Sequence, residues 1–286
     1  DMESTIGRIY HKEQNMIYNA LPRTLQPGYS FGPHCHKNVE VCMMTEGECD
    51  IVVNGETITV RTGEMMVIFS HMIHSFHMRS RRPARFLQMH FQPDSFSWVE
   101  PEVTAEVKFL NYITDEHSSY LLLPFSQRLR GCVERICTEM NSKTEEFCEP
   151  LAKIYIYEMV FLLSRELSQG YRRIFVIENP LAIRAIQYIS DNMEKRLTLS
   201  DVAEACQVTT RHLSAVFKDT INITVNDYIN IAKVDNAMRW LTGTEQSIAE
   251  IASRLGFSST QYFSTVFKRY TRMTPGEYRD MSDKDI

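Results

Sequence analysis

The N-terminal part of the chain alternates between apolar and polar residues over short stretches that end at turn-forming residues. Stretches of this kind cover 39–45, 49–53, 57–61 and 65–69, and Gly47, Asn54-Gly55 and Gly63 separate them. Alternation is typical of strands with one buried face, and Asn-Gly between two such stretches is typical of a tight hairpin. The pattern predicts an antiparallel sandwich or barrel within residues 25–92.

After Pro101 the apolar residues recur at helical spacing instead. Leu129, Val133, Ile136 and Met140 follow one another at intervals of three or four residues, and a second such series runs through 149–168. This spacing places the apolar side chains on one face of a helix. The helical pattern has two interpretations. Either these helices mediate self-association of two chains, or they simply pack on the preceding sheets.

Helical periodicity returns from Leu181 to Arg279, after a linker between Gly170 and Pro180. The fold class predicted from these patterns is a multidomain α+β chain. Its parts are a sheet-rich domain at 1–100, a helical dimerisation region at 101–175, and an all-α domain at 181–286.

Two stretches of the C-terminal domain resemble each other. Phe217-Lys218 and Tyr228 in the first correspond to Phe267-Lys268 and Tyr278 in the second, in each case 50 residues later. A unit repeated in this way indicates an internal duplication. Each copy has the pattern of a helix, a tight turn and a second helix, which predicts two helix-turn-helix units.

The ends of these helices can also be predicted. Ser247 with Glu250, and Ser258 with Gln261, have the three-residue spacing of a capping box that opens a helix. Gly256 lies in a tight turn, where glycine adopts the left-handed backbone without strain. Residues 226–242 between the units predict a rod of about 25 Å, which would set the second helices about one DNA turn apart.

The second helix of each unit has an apolar face and a polar face. Short polar side chains and a glutamine near the start of such a helix can reach base edges in the major groove, while Lys and Arg suit phosphates. The predicted DNA contacts are Thr210, Arg211, Ser214, Ala215 and Lys218 in the first unit, and Thr260, Gln261, Ser264, Thr265, Lys268 and Arg269 in the second. The alternative is a plain helical bundle with solvated faces, and the duplication with matched caps favours DNA binding.

The second unit resembles the second DNA-binding unit of the AraC/XylS family of bacterial transcription regulators. The similar segments are IAEIASRLGFSSTQYFSTVFK at 248–268 and TPGEYR at 274–279. The resemblance covers about residues 181–280. It implies a homodimeric activator of transcription that binds double-stranded DNA, responds to a small-molecule effector such as a sugar or related metabolite, and contacts RNA polymerase.

This sequence departs from the family at several positions. Ala215 and Thr265 stand where many members carry a base-contacting Arg, and Gln207, Asn222 and Arg272 stand where many carry a turn glycine. The departures concern the preferred base sequence rather than the fold.

The sheet-rich domain carries a set of residues that can ligate a metal. Gly28, His34, His36, Glu40 and Gly47 have the spacing G-x5-H-x-H-x3-E-x6-G. Even separations place the two histidines and the carboxylate on one face of an extended strand. Two imidazoles and a carboxylate suit a divalent metal.

The same spacing resembles the first motif of the cupin barrels, and Gly63 with His74 partly matches the second motif. AraC-like regulators often carry such a barrel as a sensor, and many use its cavity for a small effector without a metal. The resemblance implies a cupin-like barrel in which His34, His36, Glu40 and His74 line an effector pocket or bind a divalent metal. Purely structural packing of these histidines is the third alternative.

Composition changes this picture little. The hydrophobic fraction is 43%, the net charge is −5, and the seven cysteines are scattered without a CxxC pair. Residues 181–286 hold 13 Lys and Arg against 13 Asp and Glu, so charge alone does not indicate DNA binding. With neither a secretion signal nor a membrane-length apolar stretch, we expect a cytoplasmic protein that does not enter the membrane.

Two functions therefore compete. The first is a transcription regulator controlled by an effector in the N-terminal barrel, with no enzymatic activity. The alternative is a metal-dependent cupin enzyme, such as an isomerase or a dioxygenase, that uses the histidines and Glu40. The long helical C-terminal domain favours the regulator, because catalysis does not need two DNA-reading helices.

Overall fold

The computed structural model of the protein describes residues 17–92, 118–142, 146–168, 173–176 and 179–282. The strands are β1 (Ile17–Leu25), β2 (Ser30–His34), β3 (Val39–Glu46), β4 (Glu48–Val53), β5 (Glu56–Arg61), β6 (Glu64–Ile68), β7 (His74–His77), β8 (Ala84–Phe91), β9 (Ser118–Pro124) and β10 (Arg173–Val176). The helices are α1 (Gln127–Asn141), α2 (Cys148–Ser168), α3 (Pro180–Asp191), α4 (Leu199–Ala205), α5 (Thr210–Ile221), α6 (Val225–Gly243), α7 (Ile248–Arg254), α8 (Thr260–Thr271) and α9 (Pro275–Ser282).

The strands form two antiparallel sheets. The larger sheet has the order β1-β8-β3-β6-β9-β10, and the smaller has the order β2-β7-β4-β5. The predicted hairpin joins β4 to β5, where Asn54 and Gly55 have φ values of 48° and 84°. Two successive positive φ values match the turns preferred between twisted antiparallel strands. The strands predicted between 39 and 69 are therefore present.

Side chains on both faces of the larger sheet are buried. In β3, alternate side chains point to the two faces. Cys42 and Met44 face the smaller sheet, whereas Val41 and Met43 pack against the following helices. α1 and α2 cover this second face, and Asn141 at the end of α1 donates to the carbonyl of Ala20 in β1 at 2.7 Å. The packing interpretation of these helices is therefore observed. The predicted boundary at residue 100 lies outside the described residues.

The C-terminal domain contains the two predicted helix-turn-helix units. α4 and α5 form the first, α7 and α8 form the second, and the 19-residue α6 joins them. The apolar faces of the second helices are buried, as predicted, since Leu213 and Phe217 in α5 and Phe263 and Phe267 in α8 are each 0% exposed. These aromatic and aliphatic side chains form the cores that hold the units together.

One of the two predicted capping boxes at the start of a second-unit helix is present. Ser247 and Glu250 each accept a hydrogen bond from the backbone N–H of the other. The prediction for Ser258 with Gln261 is wrong, because α8 begins one residue later than expected. Ser259 is its N-cap and accepts from the backbone N–H of Tyr262 at 3.1 Å.

The N-terminal domain packs against the C-terminal domain, chiefly against α3, α6, α8 and the end of α5. The hydroxyl of Tyr228 in α6 donates to the carbonyl of His71 at 2.7 Å, and Oγ of Ser190 in α3 lies 3.4 Å from Nε2 of the same histidine. The turn at Gly55 touches Asn222, which ends α5. In the part of the chain that the structure describes, no helix has the length and apolar character needed to span a membrane.

Candidate functional site

Glu40 lies at the centre of a polar cluster inside the N-terminal domain. Its Oε2 is 2.8 Å from Nε2 of His74 and 3.2 Å from Nε2 of His36. The ligating atoms of His34, His36, Glu40 and His74 all lie within 4.8 Å of one another. The four residues predicted from their spacing are therefore brought together.

The predicted reason for this convergence is wrong. β2 ends at His34 and β3 begins at Val39, so His36 lies in the loop between them and Glu40 lies on the next strand. The residues do not share one face of a single strand. They converge because His34 pairs with His74 across β2 and β7, while the loop turns His36 back over Glu40.

Three further side chains contact Glu40 and were missed by the sequence reasoning. Gln88 donates to Oε1 of Glu40 at 2.6 Å, Cys42 donates to the same oxygen at 3.3 Å, and Nε2 of His90 lies 3.3 Å from Oε2. His90 is paired with Glu40 in the register of β8 and β3, and Gln88 is paired with Cys42. The sequence evidence available for them was that Gln88 and His90 are two polar residues, with one residue between them, in the largely apolar strand β8.

The cluster is largely buried, with Glu40 and His74 enclosed and His36 at its edge, and it is strongly polarised. Burial alone would raise the pKa of Glu40, but His90 and hydrogen bonds from His36, His74 and His90 outweigh it and hold that pKa well below its usual range. Burial, together with the neighbouring His74 and His36, lowers the pKa of His34 well below its ordinary value. A buried carboxylate surrounded by imidazoles is therefore ionised, whereas His34 is neutral.

The orientation of the imidazoles suits a cation. Nδ1 of His36 lies 2.9 Å from the carbonyl of Asn38, and Nδ1 of His74 lies 2.9 Å from the carbonyl of Met72. A carbonyl only accepts, so each Nδ1 carries a proton. Nε2 then donates to Glu40 only when the ring carries a second proton, and in the neutral ring it directs a lone pair at Glu40 instead. Two lone pairs facing a carboxylate repel unless a proton or a metal ion intervenes. Nδ1 of His34 is also buried without a hydrogen-bond partner. The residues present therefore fit a divalent metal.

The predicted DNA contacts lie on the accessible faces of α5 and α8. In α5, Thr210, Arg211, Ala215 and Lys218 are exposed and Ser214 is half-buried. In α8, Gln261, Thr265, Lys268 and Arg269 are exposed, and Thr260 and Ser264 are half-buried. The polar faces are thus opposite the buried cores of the two units.

Some of these side chains already have partners within the chain. Arg269 lies 3.5 Å from Asp227 and 5.3 Å from the centre of the Tyr270 ring. Lys218 donates to the carbonyl of Asn222 at 2.8 Å. Both cations sit at the ends of their helices and are exposed enough to exchange these weak contacts for phosphate.

A sheet domain with a buried polar cluster, joined to two helix-turn-helix units, defines a DNA-binding regulator that carries a ligand-binding domain. The sequence model of the AraC-like ligand binding domain matches residues 22–160, and a helix-turn-helix domain model matches residues 202–281. The chain belongs to the AraC/XylS family of transcription regulators, and is an effector-controlled regulator of that kind.

Two regulatory proteins and one solved structure are similar to this chain over most of its length. The melibiose operon regulatory protein of Escherichia coli (strain K12) is 24% identical over 268 residues, covering 88% of this chain and 84% of that protein. The lactose operon transcription activator of Staphylococcus xylosus is 21% identical and covers 83% of this chain and 82% of its own length. The crystal structure of unsaturated fatty acid-bound ToxT from Vibrio cholerae superposes with a TM-score of 0.65 at 15% identity, over 94% of this chain and 97% of ToxT. At this identity the likeness to ToxT concerns the fold.

Proposed function

We propose that the protein reads one continuous DNA site with the polar faces of α5 and α8. The observation that supports this most strongly is the duplicated unit, in which equivalent polar faces are accessible while the opposite faces are buried. Base edges would be contacted by Thr210, Arg211, Ser214 and Ala215 in α5, and by Thr260, Gln261, Ser264 and Thr265 in α8. Lys218, Lys268 and Arg269 would contact phosphates.

Gel-shift titrations of genomic fragments and random DNA test this assignment. Gln261→Ala should weaken specific binding by about 1–3 kcal/mol and spare non-specific binding, because a base contact is lost. Lys268→Ala should weaken all sequences and reduce the slope of log affinity against log salt by about one. Arg82→Ala, which removes an exposed cation of the N-terminal domain, is the matched control. Equal losses on specific and random DNA for Gln261→Ala would contradict the reading role.

We also propose that the protein is a homodimer, assembled through α2. Phe147, Ile154 and Phe161 are 72%, 59% and 53% exposed and lie seven residues apart. Seven residues make nearly two helical turns, so Ile154 and Phe161 lie along one line of the α2 surface. Phe147 directly precedes the first residue of α2. Such an apolar line is suited to packing against its copy in a second chain, and a dimer would match paired half-sites on DNA.

Sedimentation equilibrium tests the dimer. Phe161→Glu should convert it to monomer and lower operator affinity, because a charge would be buried in the interface. Thr138→Glu, on the exposed side of α1, adds the same charge elsewhere and should leave the dimer intact. A wild-type protein that sediments as a monomer at micromolar concentration would disprove the proposal.

We propose further that the cluster around Glu40 binds a divalent metal. His34, His36, Glu40 and His74 would hold it, with His90 close by, and the ion would supply a positive charge that balances the converging lone pairs. Elemental analysis of the purified protein should find about one metal ion per chain, and His74→Gln should remove it. His212→Gln, an exposed histidine, is the control. Metal-free wild-type protein that stays folded and takes up no added Zn²⁺ would reject the site.

The cluster and its surroundings are proposed to bind the effector rather than to catalyse a reaction. Two relatives regulate the melibiose and lactose operons, the second as a transcription activator, which supports a sugar effector and activation of transcription. With this role we propose contact with RNA polymerase and a cytoplasmic location. A metal-dependent isomerase or dioxygenase is the second candidate, since the same residues could ligate a catalytic ion. Metal loading that alters DNA affinity in the gel shift would favour sensing, while turnover of a sugar by metal-loaded protein would favour the enzyme.

A further inference from the structure

A cleft lies where the N-terminal domain meets the end of α3, one side of α6 and the end of α7, and we call it the junction cleft. Its walls are the loop 35–37 with His71 from the N-terminal domain, and residues 189–195 with one side of α6 from the C-terminal domain. Its volume is about 470 Å³, within the range of about 300–1,000 Å³ that is typical of small-molecule sites. His36 lines both this cleft and the Glu40 cluster.

Two polar groups in the wall of the junction cleft lack hydrogen-bond partners. Asp235 is 6% exposed and its Oδ2 is unpartnered, as is Nε of Arg239 one helical turn later. The two atoms are 3.5 Å apart, close enough for an ion pair but without the geometry of a hydrogen bond. A buried polar group left without a partner costs about 1–3 kcal/mol.

The chemistry of this pair defines the group that would satisfy it. Oδ2 of Asp235 accepts a hydrogen bond and Nε–H of Arg239 donates one. A hydroxyl group donates and accepts through the same oxygen, so a single hydroxyl can satisfy both atoms. Asn236 next to Asp235 already accepts from the other end of the Arg239 guanidinium, which fixes its orientation.

The charged side chains of the wall nearly balance, which disfavours a ligand with a large net charge: they are Lys37, Lys195, Arg239 and Arg254 against Asp191, Glu194 and Asp235. Arg254 makes two contacts with Glu194, at 3.2 and 3.3 Å, and its guanidinium lies 4.3 Å from the centre of the Trp240 ring. These opposite charges compensate each other within the wall. The Trp240 and Tyr228 rings add apolar surface beside the polar groups, and such surface suits the carbon skeleton of a ligand.

We propose that the junction cleft binds a small, uncharged, hydroxyl-rich molecule of the sugar class, with one hydroxyl between Asp235 and Arg239. The site is separate from the effector pocket proposed around Glu40 and does not depend on whether that pocket holds a metal. A ligand in the cleft contacts both domains. It therefore stabilises the arrangement in which they are packed together, by its differential affinity for that arrangement.

Tryptophan fluorescence tests this site because the chain has two tryptophans, Trp98 and Trp240. In a Trp98→Phe background the emission comes from Trp240 in the cleft wall. The probes are melibiose and lactose, and we expect at least one to change the emission saturably. Asp235→Ala and Arg239→Met should each weaken the fitted affinity by about ten- to a hundred-fold, since each removes one partner of the bound hydroxyl. Asp219→Asn, on the exposed surface of α5, should leave it unchanged.

A saturable change that both cleft substitutions weaken supports the proposal. A change that survives both substitutions means that the sugar binds elsewhere, and overturns it. No change with either sugar also overturns it, since the cleft then holds water only. Gel shifts with the same variants verify folding and report on DNA binding, so a failure of the cleft site is distinguished from a failure of the regulator function.

Discussion

His71 lies at the junction of the two domains and is held in its uncharged form. Its carbonyl accepts from Tyr228, and its ring lies against Ser190. Burial, with a smaller contribution from His36, lowers the pKa of His71 from 6.5 to about 4. Protonation therefore opposes the packed arrangement, and we predict that acid weakens it.

The sign and the size of the effect follow from this shift. Between pH 6.5 and about 4, the unfolded chain binds more protons at His71 than the folded chain does. The stability contributed by His71 is complete above the unfolded pKa and is lost as pH falls toward the folded pKa. The full shift corresponds to about 3 kcal/mol, of which about 2 kcal/mol is lost by pH 5. Because the side chain is partly exposed to water, we expect a measured loss nearer 1 kcal/mol.

Urea denaturation at about pH 7.5 and about pH 5 measures this loss. His71→Asn removes the titrating ring but keeps the backbone carbonyl, and Asn tolerates the φ of 65° at this position. The pH-dependent loss of unfolding free energy should be about 1 kcal/mol smaller in this variant than in the wild type. His212→Asn, at an exposed position, should behave as the wild type. Equal losses in the wild type and in His71→Asn would refute the reasoning, because the other histidines are common to both.

Two further predictions concern the C-terminal domain. Gly256→Ala should lower the unfolding free energy by several kcal/mol, because φ is +66° and the added Cβ would lie 2.4 Å from the backbone nitrogen of Arg196. Gly63 also has a positive φ, but open space surrounds it. Gly63→Ala should therefore lose only the smaller unfolding free energy that corresponds to backbone strain, and equal losses in the two variants would argue against the clash at Gly256. Ser247→Ala should lose about 1 kcal/mol in thermal denaturation, since it removes a capping box. Ser258→Ala should change the stability very little. A loss comparable to that of Ser247→Ala would contradict the assignment of Ser259 as the N-cap of α8.

Local patterns were sufficient to predict most of the architecture. Strands and helices follow from periods of two and 3.6 residues, which the sequence displays directly. The cluster was identified because His34, His36 and Glu40 lie close together in the chain, although the loop between β2 and β3 rather than one strand face brings them together. His90 could not be predicted, because its contact with Glu40 depends on the pairing of β8 with β3.

The junction between the domains was beyond sequence reasoning for a different reason. Asp235 and Arg239 are separated by four residues in a helix, which is also the spacing of ordinary surface ion pairs. Only the packing of the N-terminal domain against α6 shows that this pair is buried beside a cleft. The same holds for His71, because burial is the main cause of its lowered pKa and its contacts include Ser190 and Tyr228, more than a hundred residues away in the chain.

α6 is the element through which a ligand could influence both DNA-binding units. Tyr228 near its start contacts the N-terminal domain, and the adjacent Asp227 accepts from Tyr270 of α8 at 2.9 Å. One turn of helix therefore touches the sensor domain on one side and the second reading helix on the other. A ligand that binds at His36, or in the junction cleft, acts on the loop that lies against this turn. Coupling then requires that the ligand bind more tightly to one arrangement of α6 than to another. It does not require a signal that travels through the core of either helix-turn-helix unit.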